Sequence, residues 1–154
     1  MMKIMIKITL AVMIVIAVST SSTNASMKDS IKQTATDVLG RYIETVVYGI
    51  VENIGELFSD QFRQRTTANG KVITHTKSQL INFIKKHQHI EQDCITSSAV
   101  LEQNDGCSIA KVEMKYLEFT RIDYLMLSPE GKKWKVNQIV TTFRDNKTDV
   151  SEQP

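Results

Sequence analysis

Two cysteines, two prolines, six glycines and one tryptophan are all that a chain of 154 residues holds of these types. With 42% hydrophobic and 23% charged residues, that scarcity excludes a disordered, collagen-like or repeat-built chain. A strong charge of one sign is lacking too. The formal charge is +2, but Lys3 and Lys7 stand ahead of the first acid, Asp29; without them 17 basic side chains face 17 acidic ones. A neutral domain has no electrostatic reason to bind nucleic acid or an anionic membrane surface. Missing as well are a glycine-rich phosphate loop, a nucleophile elbow and an HExxH pair. The residues therefore point to no catalytic group, metal or cofactor, and the length supports one compact domain.

The apolar run from Ile8 to Val18, broken only by Thr9, is about half of the ~20 residues that a membrane-crossing helix needs. Lys3 and Lys7 before it and the polar stretch Ser19 to Ser22 after it give the three-part layout of a secretory signal peptide. Thr23 and Ala25 are small enough to precede a cut. This predicts a leader over residues 1–25, a domain over 26–143 and a polar tail over 144–154. The expected location is periplasmic or secreted, with no stable membrane insertion once the leader is gone.

What the rest of the chain has is a change of period. From Asp29 to Tyr48 the apolar residues Ile31, Ala35, Val38, Leu39, Tyr42, Ile43, Val46 and Val47 recur at three- and four-residue steps, which predicts a long first helix ended near Gly49. A shorter helix fits Ile50 to Phe58. Asn69-Gly70 then marks a hairpin between Phe62–Thr66 and Lys71–His75. Thr76 or Ser78 can cap a third helix with Leu80, Ile81, Phe83 and Ile84 on its apolar side and Lys85, Lys86 and His87 at its end. Beyond it the period is two: Glu91–Gln103, a turn at Asn104-Asp105-Gly106, Cys107–Phe119, then Ile122–Leu127 and Lys133–Phe143 joined by Pro129-Glu130-Gly131. Helices followed by an antiparallel meander make an α+β fold.

The cysteines go against the usual reading of an exported pair as a disulfide. With Asp105 at the turn centre, Val112, Met114 and Tyr116 oppose Ser98, Thr96 and Cys94, while Cys107 lies beside Gln103. Cys94 and Cys107 then stand roughly 30 Å apart at ~3.3 Å per residue, beyond the ~7 Å limit for a bridge. His75, His87 and His89, with Glu91 and Asp93 nearby, lack cysteine partners at metal-ligand spacing and read as solvated helix-end charge. Asp60, after Ser59, reads as an Asx-type cap.

The stretches Arg41-Tyr42-Ile43-Glu44, Glu56 to Phe62, Gly70-Lys71-Val72-Ile73-Thr74 and Ala110 to Tyr116, in this order of elements, resemble the nuclear transport factor 2-like superfamily. They are most similar to its exported bacterial members, described as putative lumazine-binding and SnoaL-like domains. The resemblance runs from about Thr34 to Phe143 and implies a cone-shaped, curved antiparallel sheet wrapped by about three N-terminal helices, a cystatin-like fold. That fold also houses ketosteroid isomerases. By position, Tyr42 falls where their oxyanion-binding tyrosine sits, Asp123 where their protonated aspartic acid sits, and Thr66 where their general base sits. A threonine hydroxyl cannot take a proton from carbon at neutral pH, so isomerase activity is not implied.

The candidate ligand-binding residues are therefore Tyr42, Asp123 and Thr66, with Met114, Tyr116 and Trp134 as pocket walls. Each has a plainer alternative. Tyr42 fits the core stripe of its helix, Asp123 follows Thr120-Arg121 and can cap a turn or pair with the arginine, and the wall residues fit a core. The reading is a domain that binds a small, flat or aromatic ligand without turnover, as a homodimer through the outer sheet face. The alternatives are an isomerase-, cyclase- or dehydratase-type enzyme and an interaction module with a filled cone.

Overall fold

The computed structural model describes residues 33–68 and 70–146. The leader, the first part of the expected opening helix, Asn69 and most of the polar tail lie outside the described residues. Helix α1 is Ala35–Val47, opened by a capping box in which Thr34 Oγ1 accepts from Asp37 N–H and the Asp37 carboxylate accepts from Thr34 N–H. That box places the start at Ala35, later than the apolar stripe alone suggests, because Thr34 is held in extended backbone.

The second helix is much shorter than the sequence pattern implies. Gly49 and Asn53 both take left-handed backbone, at φ +67° and +54°, so 50–53 forms a turn and α2 is only Ile54–Leu57. Gly49 cannot be replaced freely, since a Cβ there would stand 2.7 Å from the His89 backbone nitrogen. Strands β1 (Phe58–Ala68) and β2 (Lys71–Thr76) form the expected hairpin, and α3 (Lys77–Lys86) follows at once. Thr76 is the cap, through a second reciprocal box with Gln79. Leu80 and Ile84 turn inward as expected; Phe83 does not, and is 61% exposed. Asp60 caps nothing. It sits in β1 and pairs with Lys77 at 2.8 Å, while Ser59 Oγ accepts from Gln61 N–H.

Four strands complete the chain: β3 (Ile95–Gln103), β4 (Ser108–Lys115), β5 (Phe119–Glu130) and β6 (Lys133–Asp145). The sheet is curved and unclosed, in the order β2-β1-β6-β5-β4-β3. One expectation needs correction here: β1 runs parallel to β6, so the sheet is mixed, not wholly antiparallel. The helical start of the chain returns to the sheet beside its last strand, and that long-range pairing has no signature in local periodicity. The β3/β4 register is the expected one, with Ser98 opposite Val112 and Thr96 opposite Met114, and a bulge near Leu101 shifts only the rungs closest to the turn. Both cysteines are free thiols, Cys94 before β3 and Cys107 in the β3–β4 turn.

The core lies between α1 and the concave face of the sheet. Tyr42, Phe58, Phe62, Met114, Leu125, Leu127 and Ile139 are all within it and essentially without exposure. At about 1.5–3 kcal/mol for each fully buried large side chain, this packing carries the fold and fixes where the polar residues of the same face must sit.

Candidate functional site

Three ladders bring the site together. In the β1/β6 and β6/β5 registers Thr66 lies opposite Thr141 and Thr141 opposite Asp123, so the three side chains share one face in a single row across the sheet. A slip of one residue in any ladder would send its member to the other face. Gln64 and Arg121, each two residues along its own strand, therefore also face the concave side. From above, the buried stripe of α1 lowers Tyr42 onto this row.

Asp123 is the hub. Its carboxylate, with no exposed surface, accepts from Tyr42 Oη–H at 2.8 Å, from Thr141 Oγ1–H at 2.6 Å, and from Arg121 through Nε at 3.1 Å and Nη2 at 2.9 Å. Gln64 Nε2 donates to Thr141 Oγ1 at 2.9 Å, which leaves that hydroxyl both accepting and donating. A buried carboxylate is tolerated only when paired and hydrogen-bonded, and here it is both. Of the alternatives for Asp123, the Arg partner is the one realised. Burial, reinforced by the charge of Asp123, pushes the Tyr42 phenol well above its ordinary range, so Tyr42 is a neutral donor. For Arg121, burial disfavours the charge, but Asp123 and then Tyr42 outweigh it and hold the guanidinium above its ordinary value.

This geometry alters the role carried over from the isomerases. The Tyr42 hydroxyl hydrogen is engaged by Asp123, and Asp123 receives four donors and offers none. The pair is brought together as the resemblance implies, yet it forms the anchor beneath a site, not a set of donors open to a ligand.

The open space lies beside the anchor. A cavity of about 200 Å³ is roofed by Gln79, Leu80 and Phe83 of α3 and floored by Gln64, Thr66, Thr141 and Arg121, with His75 and Phe143 at its sides. An adjoining cavity of about 340 Å³ shares Leu80, Phe83 and Arg121 and reaches Thr45, His87 and Gln92. The second is within the usual range of small-ligand pockets, about 300–1,000 Å³, and the first is below it. The His87 Nδ1–H donates to the Phe83 carbonyl at 2.8 Å and its ring packs on Phe83 at 4.5 Å, which steadies the roof.

Thr66 lines the smaller cavity. Met114, Tyr116 and Trp134 line neither cavity. Met114 is completely buried under α1; Tyr116 stacks on Phe119 at 4.7 Å and donates to Gln92; Trp134, opposite Pro129, packs at the far end of β6. The aromatic rings that line the cavity under α3 are Phe83 and Phe143, while Tyr116 lines a separate, more open cavity with Cys94 and Phe119. Arg121, Gln64, Thr141 and Phe143 escaped the sequence reading of the site, although strand alternation from Asp123 and Thr66 would have placed Arg121 and Gln64 on the inner face. Among the described residues no three His, Cys, Asp or Glu side chains gather as metal ligands do, and no helix is long and apolar enough to cross a membrane.

Comparison with known proteins agrees with this architecture. Residues 30–142 match the family described as putative lumazine-binding. A nuclear transport factor 2-like protein of unknown function from Silicibacter pomeroyi has a similar structure, with a TM-score of 0.59 and 14% identity over 72% of this chain and 92% of that one. Another from Shewanella baltica gives 0.58 and 17% over 71% and 90%. An uncharacterised protein with a cystatin-like fold from Caulobacter vibrioides gives 0.58 and 11% over 76% and 92%. At these identities the likeness concerns the fold alone. No curated protein matches the sequence.

Proposed function

The chain belongs to the putative lumazine-binding family of nuclear transport factor 2-like domains, and from that premise we propose that it binds a small, flat ring ligand in the concave cavity without chemical turnover. One observation carries this reading: an unfilled cavity in which Phe83 and Phe143 supply aromatic surface while Gln64, Thr66 and Gln79 supply polar groups that orient a ligand. Thr66 contacts the ligand at the position where a base would stand, and the Tyr42–Asp123 pair holds the floor rigid beneath it.

A second reading, an isomerase-, cyclase- or dehydratase-type enzyme, is favoured by His75, whose imidazole lines the cavity and is of the side-chain type used for general acid–base work. Fluorescence titration with a neutral naphthyl ring, 2-naphthamide, tests the first reading. Saturable one-site binding is expected. Failure to bind refutes it, and native mass spectrometry of protein from its own host decides turnover: an unaltered bound molecule supports the binding reading, a substrate–product mixture the enzyme.

The domain acts after export and as a homodimer. The leader pattern of residues 1–25 supports export. The apolar strip of Ile109, Tyr124, Met126 and Val140 on the convex face supports self-association.

A further inference from the structure

Arg121 is the one residue common to the sheet side of both cavities, and its side chain keeps 24% of its surface. Nε and Nη2 are committed to Asp123, which leaves Nη1 outside that contact. Neither cavity has an aspartate or glutamate in its lining; the titratable groups there are Arg121, His75 and His87. Asp123 itself is turned away from the space, without exposure and already filled by four donors. We propose that Arg121 is the anchor for an acidic group on the ligand, a carboxylate or enolate carried by the flat ring, bound at the junction of the two cavities. This rests on the ring-binding reading above and specifies its ligand class.

The physical argument concerns preorganisation. A guanidinium presents planar donors, and fixing one edge on Asp123 holds the remaining edge in place before any ligand arrives. The rotamer entropy that a free surface arginine would lose on binding is already lost on folding. Tyr42 and Thr141 share the charge of Asp123, so the ion pair retains positive character on the cavity side. An acid bound there gains a charge-assisted contact, and a neutral ring of the same shape does not.

The test compares 2-naphthoate with 2-naphthamide, rings of equal shape that differ in charge, by fluorescence titration at pH 8.5, where ordinary imidazole is neutral. The wild-type protein is expected to bind the carboxylate about tenfold or more tightly, the scale of one charge-assisted hydrogen bond, and the Arg121 Nε–H resonance should shift with the carboxylate only. The paired variant R121Q/D123N removes both charges together and should bring the carboxylate-to-amide affinity ratio to about one; a preference that persists in it overturns the inference. Equal affinity for the two probes in wild type, or an unmoved Arg121 resonance on carboxylate binding, overturns the inference and leaves ring binding standing. Binding of neither probe overturns the ring-binding reading itself. Should the paired variant not fold, the wild-type affinity ratio and resonance decide alone.

Discussion

Replacing Asp123 by alanine should do far more damage than removing the Tyr42 hydroxyl that donates to it. The carboxylate is fully buried and holds Tyr42, Thr141 and two nitrogens of Arg121. Breaking a buried ion pair by removing one member costs about 3–5 kcal/mol, because the other charge is left uncompensated. Arg121 retains 24% of its side-chain surface, so water relieves part of that loss and pulls the value to the lower end. The Tyr42 hydroxyl is completely enclosed and has no such relief, which adds about 1 kcal/mol. Together D123A should cost about 4 kcal/mol, a large part of the ~5–15 kcal/mol that a domain possesses, and lower Tm by on the order of 20 °C. Y42F removes one donor and leaves Asp123 three others, so about 1–2 kcal/mol is expected. Urea unfolding followed by circular dichroism measures both, with unchanged m-values as the check on the comparison. A D123A loss below about 1 kcal/mol, or a Y42F loss equal to that of D123A, would refute the network as the organising feature of the site.

Other consequences follow from the same structure. In an alkaline absorbance titration the Tyr42 phenolate should appear only together with unfolding: its folded value is raised, so its contribution to stability is present below pH ~10 and lost above it; Y42F should abolish that coupled signal. Hydrogen bonds and neighbouring lysines hold the carboxyls of Glu56 and Asp60 below their ordinary values, and Thr34 does the same for Asp37. Their stabilisation is complete above the unfolded values near 4 and is lost as pH falls through the folded ones, so acid unfolding should begin below pH ~4.5; a Tm that rises on acidification contradicts this. T76A should cost about 1 kcal/mol by removing the α3 cap, and hydrogen exchange should quicken at Leu80 and Phe83 in the cavity roof. G49A should lose at least ~1 kcal/mol, since it combines left-handed backbone with a Cβ 2.7 Å from His89 N; a neutral effect in thermal melts would mean that this turn is not tight.

Local signals carried the sequence reading well wherever the governing interaction is itself local. Thr76 is legible as a cap of the third helix, and the structure has it there; the Thr34–Asp37 box has the same three-residue spacing, but the apolar stripe running back to Asp29 hides it. The Asp105 turn fixes the distant rungs Ser98–Val112 and Thr96–Met114, because the bulge near Leu101 adjusts only the pairs beside the turn. The second helix failed on a local matter too, the left-handed Asn53, which ordinary helix periodicity does not reveal. The β1/β6 pairing is of another kind. It joins residues more than 70 positions apart, and upon it depend Thr66, Thr141 and Gln64 as neighbours. Tyr42 and Asp123 were found by positional likeness, but whether they face a ligand or each other depends on Arg121 and Thr141, side chains supplied by the completed sheet. Met114 lies on the inner face as its alternation implies; the helix above it fills that part of the cone, and the cavity opens instead under α3.

Where a flat ring rests on the folded protein is the most direct measure of the account. With methyl-labelled protein and 2-naphthamide, nuclear Overhauser contacts from the ring protons should reach the methyls of Leu80 and Thr66, which face each other across the cavity, and those signals should shift saturably at one stoichiometric equivalent. Contacts confined to Ile109, Met126 and Val140 on the convex face, or no saturable shift at Leu80 and Thr66, would contradict the cavity as the binding site.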